Sequence, residues 1–317
     1  MGSTEFGLRC LERLASLPDC TVVGIVTNPR TFSISYSETA VTNIRHADIS
    51  SFGEEHGIDT YIMQESMHEP ELLNRIQRWG ADFILVAGWY HMVPRKIRDI
   101  APTLGLHASL LPDYSGGAPL VWAIINGETT TGITLFQMDS GVDSGPVLGR
   151  KREPIYSYDT ISTLYARVEN RGLELIEECL GPWHTGQLVP EIQDESARRI
   201  FPQRSPQDGR IDWSWSAKRI HDFVRAQTRP YPGAFCFLGG MKLTVWSAMP
   251  AQCGVAEDVP GQMTIAEDES GKRRLLVHAG DGCEAVFLDE VQLEAEESMP
   301  GLSFFDRNSS IDDSRLR

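Results

Sequence analysis

His107 and Asp143 are the two residues of this chain whose types and positions most directly suggest chemistry. His107 stands just before a Ser-Leu-Leu-Pro turn, and Asp143 lies in a glycine-flanked loop, residues 139–146. Acyl transfer to an amine needs a base that titrates near the working pH and a carboxylate that orients it. From the residues alone, a catalytic His–Asp pair and a structural turn with a capping aspartate are both open.

The elements around this pair indicate where the two residues lie. A strand that begins after Pro102 leads to His107, and the apolar run 133–138 leads to the loop of Asp143. In open α/β sheets, ligands bind beyond the carboxyl ends of the strands. The pair Gly116–Gly117 lets the backbone approach a ligand closely. The pattern therefore predicts that both loops lie at the ligand-binding edge of a sheet.

The first half of the chain alternates apolar runs with amphipathic segments. This alternation predicts a doubly wound, mostly parallel α/β sheet of the Rossmann-like type. The expected strands are residues 21–27, 59–63, 82–88 and 133–138, and the expected helices are residues 6–17, 51–57, 70–79 and 160–179.

The character of the sequence changes after Gln187. We expect a catalytic domain over residues 1–190, a linker over 191–207, a second domain over 208–305 and a disordered tail over 306–317. An amphipathic helix is expected at residues 216–227. Short strand-like runs separated by turns then predict a small, OB-like β-barrel. These runs are residues 241–246, 262–265, 274–278 and 285–288.

Composition narrows the class of protein. The formal net charge is −15, which lowers the expectation of a nucleic-acid substrate without excluding a local basic patch. The six cysteines are scattered without a CxxC pair, which favours reduced thiols in a cytoplasmic protein. No apolar run is long enough to cross a bilayer, no secretory signal is visible, and the spacing of histidines and carboxylates indicates no metal site.

Several blocks of the sequence resemble the 10-formyltetrahydrofolate-dependent formyltransferases. The family includes methionyl-tRNA formyltransferase, the formyltransferase half of the bifunctional aminoarabinose enzyme, and the sugar N-formyltransferases. The second domain resembles the C-terminal domain of the first two. The matching blocks are AGWYHMVPRKI, HASLLPDYSGGAP, AIINGETTTGITLFQMD, GVDSGPVL, DGRIDW and IHDFVRAQTRPYPGAF, in this order along the chain.

The resemblance implies roles for particular residues. His107 would handle the amine proton as general base or acid, and Asp143 would orient it and stabilise its imidazolium form. The amine attacks the formyl carbon of 10-formyltetrahydrofolate directly, so the reaction needs neither a protein nucleophile nor a metal. The residues expected to contact this folate are Trp89, Tyr90, His91 and Met92 with Val93; Ser109, Leu110, Leu111, Pro112 and Gly117; and Asp139, Ser140, Gly141 and Val142.

Gly105 departs from the family pattern, because members usually carry asparagine two residues before the catalytic histidine. That amide is held to donate to the developing oxyanion, and losing one such donor costs about 3–4 kcal/mol. A backbone N–H or a water could replace it. Alternatively, the reaction is hydrolysis of the formyl-folate, as in the related hydrolase domain that also lacks the asparagine. The third reading is a weakened or lost activity.

Two further departures affect the expectations. Ser115 stands where the family block normally carries arginine, which predicts one positive charge fewer on the acceptor side. Residues 2–6 resemble the turn that follows the first strand of this fold, so the central first strand is expected to be missing from this sequence.

The acceptor amine is the least determined feature. Residues 28–40 correspond to a loop that is basic in the tRNA enzymes, but here they hold one arginine and no lysine. With the acidic net charge, this favours a small amine, most naturally a nucleotide-linked amino sugar. Methionyl-tRNA, water, and a folate-binding protein without turnover remain as alternatives. The sequence indicates no membrane partner and no oligomeric state.

Overall fold

The computed structural model describes residues 1–34, 39–252, 259–280, 284–308 and 315–317. The chain forms two compact units. Unit 1 comprises Met1–Pro119, Thr130–Pro154 and Ala166–Phe201. Unit 2 comprises Leu120–Thr129, Ile155–Tyr165 and Pro202–Arg317.

Strands and helices alternate along the first 201 residues. The strands are β1 Ile25–Thr27, β2 Thr31–Phe32, β3 Val41–Thr42, β4 Thr60–Ile62, β5 Ile84–Val86, β6 Thr103–His107, β7 Ser115–Gly116, β8 Thr130–Gln137, β9 Val147–Pro154 and β10 Ile200–Phe201. The helices are α1 Glu5–Ser16, α2 Ile49–His56, α3 Pro70–Trp79, α4 Arg95–Arg98, α5 Pro119–Ile125 and α6 Ile161–His184.

The sheet pairing of unit 1 confirms the α/β class and corrects one detail of it. β1 pairs with β4 and β5 pairs with β6 in parallel, as expected. However, β8 is antiparallel to both β6 and β9, so the four-stranded sheet β5–β6–β8–β9 is mixed. Only residues 138–146 connect β8 to β9. Such a connection suits a hairpin, because a parallel crossover needs a dozen residues or more.

The first strand of this fold was expected to be missing, but residues Met1 to Ser3 occupy its place between β1 and β5. The amino group of Met1 donates to Leu85 O at 2.6 Å, and Ala87 N donates to Met1 O at 3.0 Å. This alternation is that of a parallel ladder. On the other side, Gly2 N donates to Val26 O at 3.1 Å. The strand order at this edge is therefore β4, β1, residues 1–3, β5 and β6.

Helix α3 shows how local sequence signals define an element of unit 1. It spans Pro70–Trp79, the predicted range, with proline in the first turn and Gly80 in the left-handed conformation after its last residue. Leu72 and Ile76, four positions apart, are buried in the hydrophobic cluster that also contains β5. This packing holds the helix against the sheet.

The segment expected to be a linker forms part of unit 1 as far as Phe201. Glu191 forms a bridge with Val147, and β10 pairs in parallel with β7. The hydrophobic pattern could not reveal this, because these contacts are made mainly by backbone groups of a polar segment.

A small, OB-like β-barrel was expected for the second domain, and unit 2 contains an antiparallel sheet together with the expected helix α7, Ala217–Gln227. The strand order of the sheet is β11–β12–β15–β14–β13, with β16 paired to β15. Strand β11 was not predicted, and β12 is interrupted at Trp246 by a shift of register. The elements are α7 Ala217–Gln227, β11 Ala234–Leu238, β12 Met241–Gln252, β13 Met263–Glu267, β14 Arg273–His278, β15 Glu284–Leu293, β16 Met299–Pro300 and α8 Gly301–Asn308.

The described part of the tail is ordered, in contrast to the expected disorder over 306–317. Helix α8 continues to Asn308, and residues 309–314 lie outside the described residues. Leu316 is 1% exposed within the core of unit 2, and its N–H donates to Gly261 O at 2.8 Å. Arg317 and Phe237 exchange two backbone hydrogen bonds. A single buried leucine within a polar tail is a weak sequence signal.

We predict that Leu316→Ala lowers the free energy of unfolding of unit 2 by about 2–4 kcal/mol, because it leaves a cavity in the core. Chemical denaturation followed by tryptophan fluorescence measures the change. Val259→Ala, at an exposed position, is the matched control and should change stability by about 0.5 kcal/mol or less. Equal effects of the two variants would show that the last residues do not stabilise this unit.

Candidate active site

His107 lies at the end of β6 with both ring nitrogens facing acceptors. Nε2 is 2.8 Å from the carbonyl oxygen of Tyr114, and Nδ1 is 3.5 Å from Oδ2 of Asp143. The two side chains are 12% and 20% exposed, respectively. A carbonyl oxygen can only accept a hydrogen bond, so Nε2 carries the hydrogen in this contact. The predicted pair is therefore brought together, with Tyr114 as a third member that the sequence did not reveal.

The Asp143 side chain is directed by two contacts outside the histidine. Its Oδ2 accepts a hydrogen bond from Gly116 N at 2.8 Å. The Asp143 backbone has a φ of +52°, a left-handed conformation that is costly for residues other than glycine. Gln193 Nε2 donates to Asp143 O at 2.8 Å and to Gly145 O at 2.7 Å, which holds this loop in place.

The Ser109–Pro112 turn is tied to β8 through Thr134. The Thr134 hydroxyl donates to Ser109 O at 2.7 Å and accepts from Leu111 N at 3.1 Å. The Ser109 hydroxyl donates to Asp113 O at 2.7 Å. Leu111 is buried, while Leu110 and Pro112 are half-buried. The turn is therefore a rigid wall beside His107, and the Ser109 hydroxyl is already engaged.

The segment Trp89–Val93 follows β5 and forms an aromatic cluster with Phe32. The Phe32 ring centroid lies 5.3 Å from that of Tyr90 and 5.1 Å from that of His91. Trp89 Nε1 and His91 Nε2 are buried, and neither has a hydrogen-bond partner among the described residues. Burial lowers the pKa of His91, which favours its neutral form. Two such unsatisfied polar groups beside flat rings fit a heterocycle such as the pterin of a folate.

The remaining members of this segment differ in exposure. Met92 is 67% exposed, whereas Val93 is buried in the core of unit 1 and is unavailable to a ligand. Tyr90 donates through its hydroxyl to Asn43 Oδ1 at 3.2 Å, which ties the segment to the loop before α2.

The loop 139–142 forms its own turn at the surface. Asp139 Oδ1 accepts from Gly141 N at 2.9 Å and from the Ser144 hydroxyl at 2.6 Å. Ser140, Gly141 and Val142 are exposed. Gly141 N is bonded to Asp139 and Val142 O accepts from Arg198 Nη1 at 3.4 Å, so part of this exposed backbone is already engaged.

Arg199 places a guanidinium beside the segment of Ser115, the residue that stands where the family usually carries arginine. The Ser115 N–H donates to Arg199 O at 3.0 Å. Arg199 Nε and Nη2 donate to the two carboxylate oxygens of Asp113 at 2.6 and 2.5 Å. Its guanidinium lies 4.9 Å from the ring centroid of Tyr114, and the Tyr114 ring stacks on Phe201 at 4.4 Å. The polar sequence around Arg199 offered no signal for this placement.

Gly116 adopts a φ of +93°, and a Cβ there would lie 2.5 Å from Phe201 O. Close approach of β10 therefore requires glycine at this position. The neighbouring Gly117 is buried, and its N–H donates to Phe201 O at 2.9 Å. Gly117 is thus used to bind β10.

The space beside Gly105 is filled by the side chains of Phe136 and Met138. A Cβ at Gly105 would lie 2.8 Å from Phe136 Cε1 and 2.7 Å from Met138 Cε. Phe136 is the register partner of Gly105 on β8 and is buried against Leu111. The missing asparagine is therefore replaced by an aromatic ring in the same space.

A backbone N–H could replace the missing asparagine amide as donor to the oxyanion. However, four backbone N–H groups near His107 already donate hydrogen bonds within the protein. Any of them must break its present bond before it can donate to a substrate. The bonds are Ser109 N to His107 O at 2.8 Å, Leu111 N to Thr134 Oγ1 at 3.1 Å, Gly116 N to Asp143 Oδ2 at 2.8 Å and Gly117 N to Phe201 O at 2.9 Å.

The described part of the chain contains neither a metal site nor a membrane-spanning helix. No group of three or more histidines, cysteines, aspartates and glutamates there is arranged to hold a metal ion. No described helix combines the length and apolar character needed to span a bilayer.

Comparison with known proteins identifies the family. The model of the formyl transferase family matches residues 10–180, and the model of the formyl transferase C-terminal domain matches residues 204–309. Methionyl-tRNA formyltransferase of Geobacter sulfurreducens is 32% identical over 307 residues, which cover 96% of this chain and 91% of that protein.

Solved structures share the fold at lower identity. HypX from Aquifex aeolicus in complex with tetrahydrofolic acid matches with a TM-score of 0.61 at 20% identity, covering 92% of this chain and 48% of that one. This chain therefore spans about half of HypX. An N-formyltransferase from Helicobacter canadensis in complex with folinic acid and dTDP-3-aminofucose has a TM-score of 0.59 at 16% identity, covering 90% and 97% of the two chains.

The chain belongs to the formyltransferase family. The resemblance inferred from the sequence blocks is confirmed, and the protein is an enzyme of the formyltransferase class.

We predict that Gly105→Asn lowers the free energy of unfolding by about 1–3 kcal/mol, because its side chain collides with Phe136 and Met138. Denaturant unfolding measures the change. Adding Phe136→Leu should recover part of the loss, and any gain in transferase rate should require this double variant.

The control is Gly186→Asn, which places the same side chain in open space at a left-handed position that asparagine tolerates. It should leave stability within about 0.5 kcal/mol of the parent. A stable Gly105→Asn enzyme with a raised transferase rate would contradict the assignment of Phe136 to this space.

Proposed function

We propose that the protein transfers the formyl group of 10-formyltetrahydrofolate to the primary amine of a nucleotide-linked amino sugar, with His107 and Asp143 as the catalytic pair. The observation that carries the choice of acceptor is the charge at the rim of the site. Arg150, Arg198 and Arg199 each pair with a carboxylate of the same unit. The pairs are Arg150–Glu191 at 2.9 Å, Arg198–Glu195 at 2.6 Å and Arg199–Asp113 at 2.5 Å.

These arginine–carboxylate pairs disfavour the binding of a polyanionic acceptor such as tRNA. Binding a nucleic-acid backbone depends on cations that neutralise phosphates, and each carboxylate at the rim offsets one of them. A nucleotide-linked sugar carries few negative charges, and its amine can be recognised by polar groups at close range. The net charge of −15 acts in the same direction.

A cavity beside the loop of residues 28–40 supports the same choice. It encloses about 150 Å³ at the end of β1, and Thr27, Asn28, Asp48 and Ile62 are among its lining residues. No lysine or arginine lines it within the described residues, and residues 35–38 of the loop lie outside that part. Hydrogen bonds from Ser51 and Ser50 lower the pKa of Asp48 to about 2, so it is ionised at neutral pH. A wall with this negative charge suits the neutral hydroxyl groups of a sugar better than a phosphate, so the phosphates of the nucleotide would bind outside this cavity.

The proposed proton chemistry follows from the tautomer of His107. Because Nε2–H is engaged by the Tyr114 carbonyl, Nδ1 is the nitrogen left to take up the amine proton, and the acceptor amine must reach it beside Asp143 Oδ2, which is 3.5 Å away. The imidazolium so formed carries its new N–H on the side of Asp143, whose carboxylate stabilises the charge. The same proton can then pass to the departing nitrogen of the folate. The C–N bond to the acceptor forms, and the bond between the formyl carbon and N10 breaks.

The folate supplies the activated formyl group, and we propose residues of this chain that hold it. Trp89, Tyr90 and His91 offer flat rings and the unsatisfied ring N–H and nitrogen groups described above. The exposed backbone of residues 140–142 offers further donors and acceptors. Leu110 and Pro112 form an apolar wall that limits access of water beside His107.

Methionyl-tRNA is the second candidate acceptor. It is favoured by the curated relatives, since proteins with this name are 32–33% identical over 96% of the chain. It requires cations that are free to bind phosphates, whereas the three arginines described at the rim around His107 are each paired with a carboxylate. Hydrolysis, with water as acceptor, follows if the environment of Gly105 and Phe136 does not support attack by an amine.

We predict formylation of an amino sugar when the protein is incubated with 10-formyltetrahydrofolate and a panel of dTDP- and UDP-linked amino sugars, methionyl-tRNA, or water alone. Mass spectrometry detects the formylated product, and absorbance follows release of tetrahydrofolate. Formylated methionyl-tRNA without formylated sugar would refute the proposed acceptor. Folate release in water alone at the same rate would indicate a hydrolase.

His107→Ala and Asp143→Ala test the catalytic pair within this assay. Each should lower kcat at least about a hundredfold, because general acid–base catalysis contributes on this scale. His68→Ala and Asp82→Ala, at exposed positions, serve as matched controls. A rate close to that of the parent in either test variant would exclude that residue from the proposed chemistry.

A further inference from the structure

The Tyr114 carbonyl and the Asp143 carboxylate, which face His107, belong to residues with the same unusual backbone conformation. Tyr114 has a φ of +55° and Asp143 a φ of +52°, and neither is glycine. A left-handed conformation is unfavourable at such residues and persists only when the surrounding structure holds it in place. The two acceptors around the imidazole are thus held in place against a local backbone preference.

One segment, residues 191–201, contacts both of these residues, and we call it the strap. Its Gln193 is 5% exposed and donates to Asp143 O and to Gly145 O. Its Phe201 stacks on the Tyr114 ring at 4.4 Å with an interplanar angle of 8°. Its Arg199 covers the same ring and binds Asp113, the residue before Tyr114. Backbone pairing at both ends holds the strap against β9 and β7.

We propose that Gln193 and Phe201 are positioning residues for the proposed formyl transfer, acting on His107 through Asp143 and Tyr114. Phe201 and Arg199 hold Tyr114 so that its carbonyl receives Nε2–H and leaves Nδ1 as the proton-accepting nitrogen. Gln193 holds the Asp143 loop so that the carboxylate faces Nδ1. The strap therefore selects the tautomer of the histidine and places the charge that stabilises its protonated form.

This proposal rests on the catalytic pair put forward above, but it can be tested on the protein alone. Nitrogen-15 NMR of histidine-labelled protein reports the tautomer of His107, whose signals are assigned by their absence from His107→Ala. The parent should show the Nε2–H tautomer. Phe201→Leu, which removes the stacked ring, should give a mixture with the Nδ1–H tautomer. A parent enzyme in the Nδ1–H form, or an unchanged ratio in Phe201→Leu, would overturn the role of Phe201.

Gln193→Met removes the two donated hydrogen bonds at nearly constant length. Its kcat, followed as consumption of 10-formyltetrahydrofolate with the acceptor that the panel identifies, should fall about tenfold to a hundredfold. KM should change less than about threefold. Gln187→Met, at an exposed position, is the matched control and should retain the parent rate. A kcat like that of the control would overturn the role of Gln193.

Combination with His107→Ala separates positioning from general destabilisation. If Gln193 acts through the histidine, Gln193→Met should not lower the residual rate of His107→Ala further, since coupled residues are non-additive. Multiplicative losses would overturn the proposal in favour of a structural role. If Gln193→Met does not fold, as judged by thermal unfolding, the tautomer ratio in Phe201→Tyr and Phe201→Leu decides alone, because tyrosine should retain the stack.

The experiments distinguish failure of the positioning proposal from failure of the proposed catalytic pair. Full activity of His107→Ala would refute the pair, whatever the NMR spectra show. An inactive His107→Ala with active strap variants would leave the pair intact and refute the positioning role.

Discussion

The placement of one imidazole between two fixed acceptors is the constraint on which the rest of this site depends. The Tyr114 carbonyl engages Nε2 of His107, and the Asp143 carboxylate faces Nδ1. Both acceptors come from residues in left-handed conformations, which are unfavourable outside glycine. The surrounding hydrogen bonds and the stacked ring of Phe201 hold these conformations. The mixed sheet contributes by ending β6 at His107 and by turning β8 back through the loop that carries Asp143.

The departures from the family pattern are linked by packing and by charge. Gly105 lacks the usual amide, and the same space holds the ring of Phe136. Ser115 lacks the usual guanidinium, and Arg199 brings one from the strap to the neighbouring Asp113 and Tyr114. Taken alone, the first difference suggests the loss of a hydrogen-bond donor, and the second suggests the loss of a positive charge. In the folded protein, the first difference is a change of shape. In the second, a guanidinium is present on another segment, but its charge is paired with Asp113.

Much of the fold follows from local signals along the chain. Proline and glycine at the two ends of α3, with buried positions four apart, specify that helix to the residue. The runs before His107 and Asp143 form strands as expected, but the prediction that both end at one edge of the sheet was wrong, because β8 is antiparallel to β6. The loop that follows β8 brings Asp143 back to His107. The partners of residues 191–201 went unpredicted, because hydrogen bonds between backbone groups leave no mark in side-chain periodicity. The burial of Leu316 also could not be predicted, since a single apolar residue in a polar tail forms no repeating hydrophobic pattern.

The sequence by itself determined the family, the α/β class of the first unit and the identity of the His–Asp pair, because these depend on residue types and on their order. Tertiary structure decided the rest. Contacts between residues distant in the chain decide three features of the site. These are the histidine nitrogen that is engaged, the group that fills the space beside Gly105, and the segment that holds Asp143. Gln193 and Asp143 are separated by 50 positions, and Arg199 and Asp113 by 86. No local pattern encodes such pairs, since only the packed fold brings their atoms within hydrogen-bonding distance.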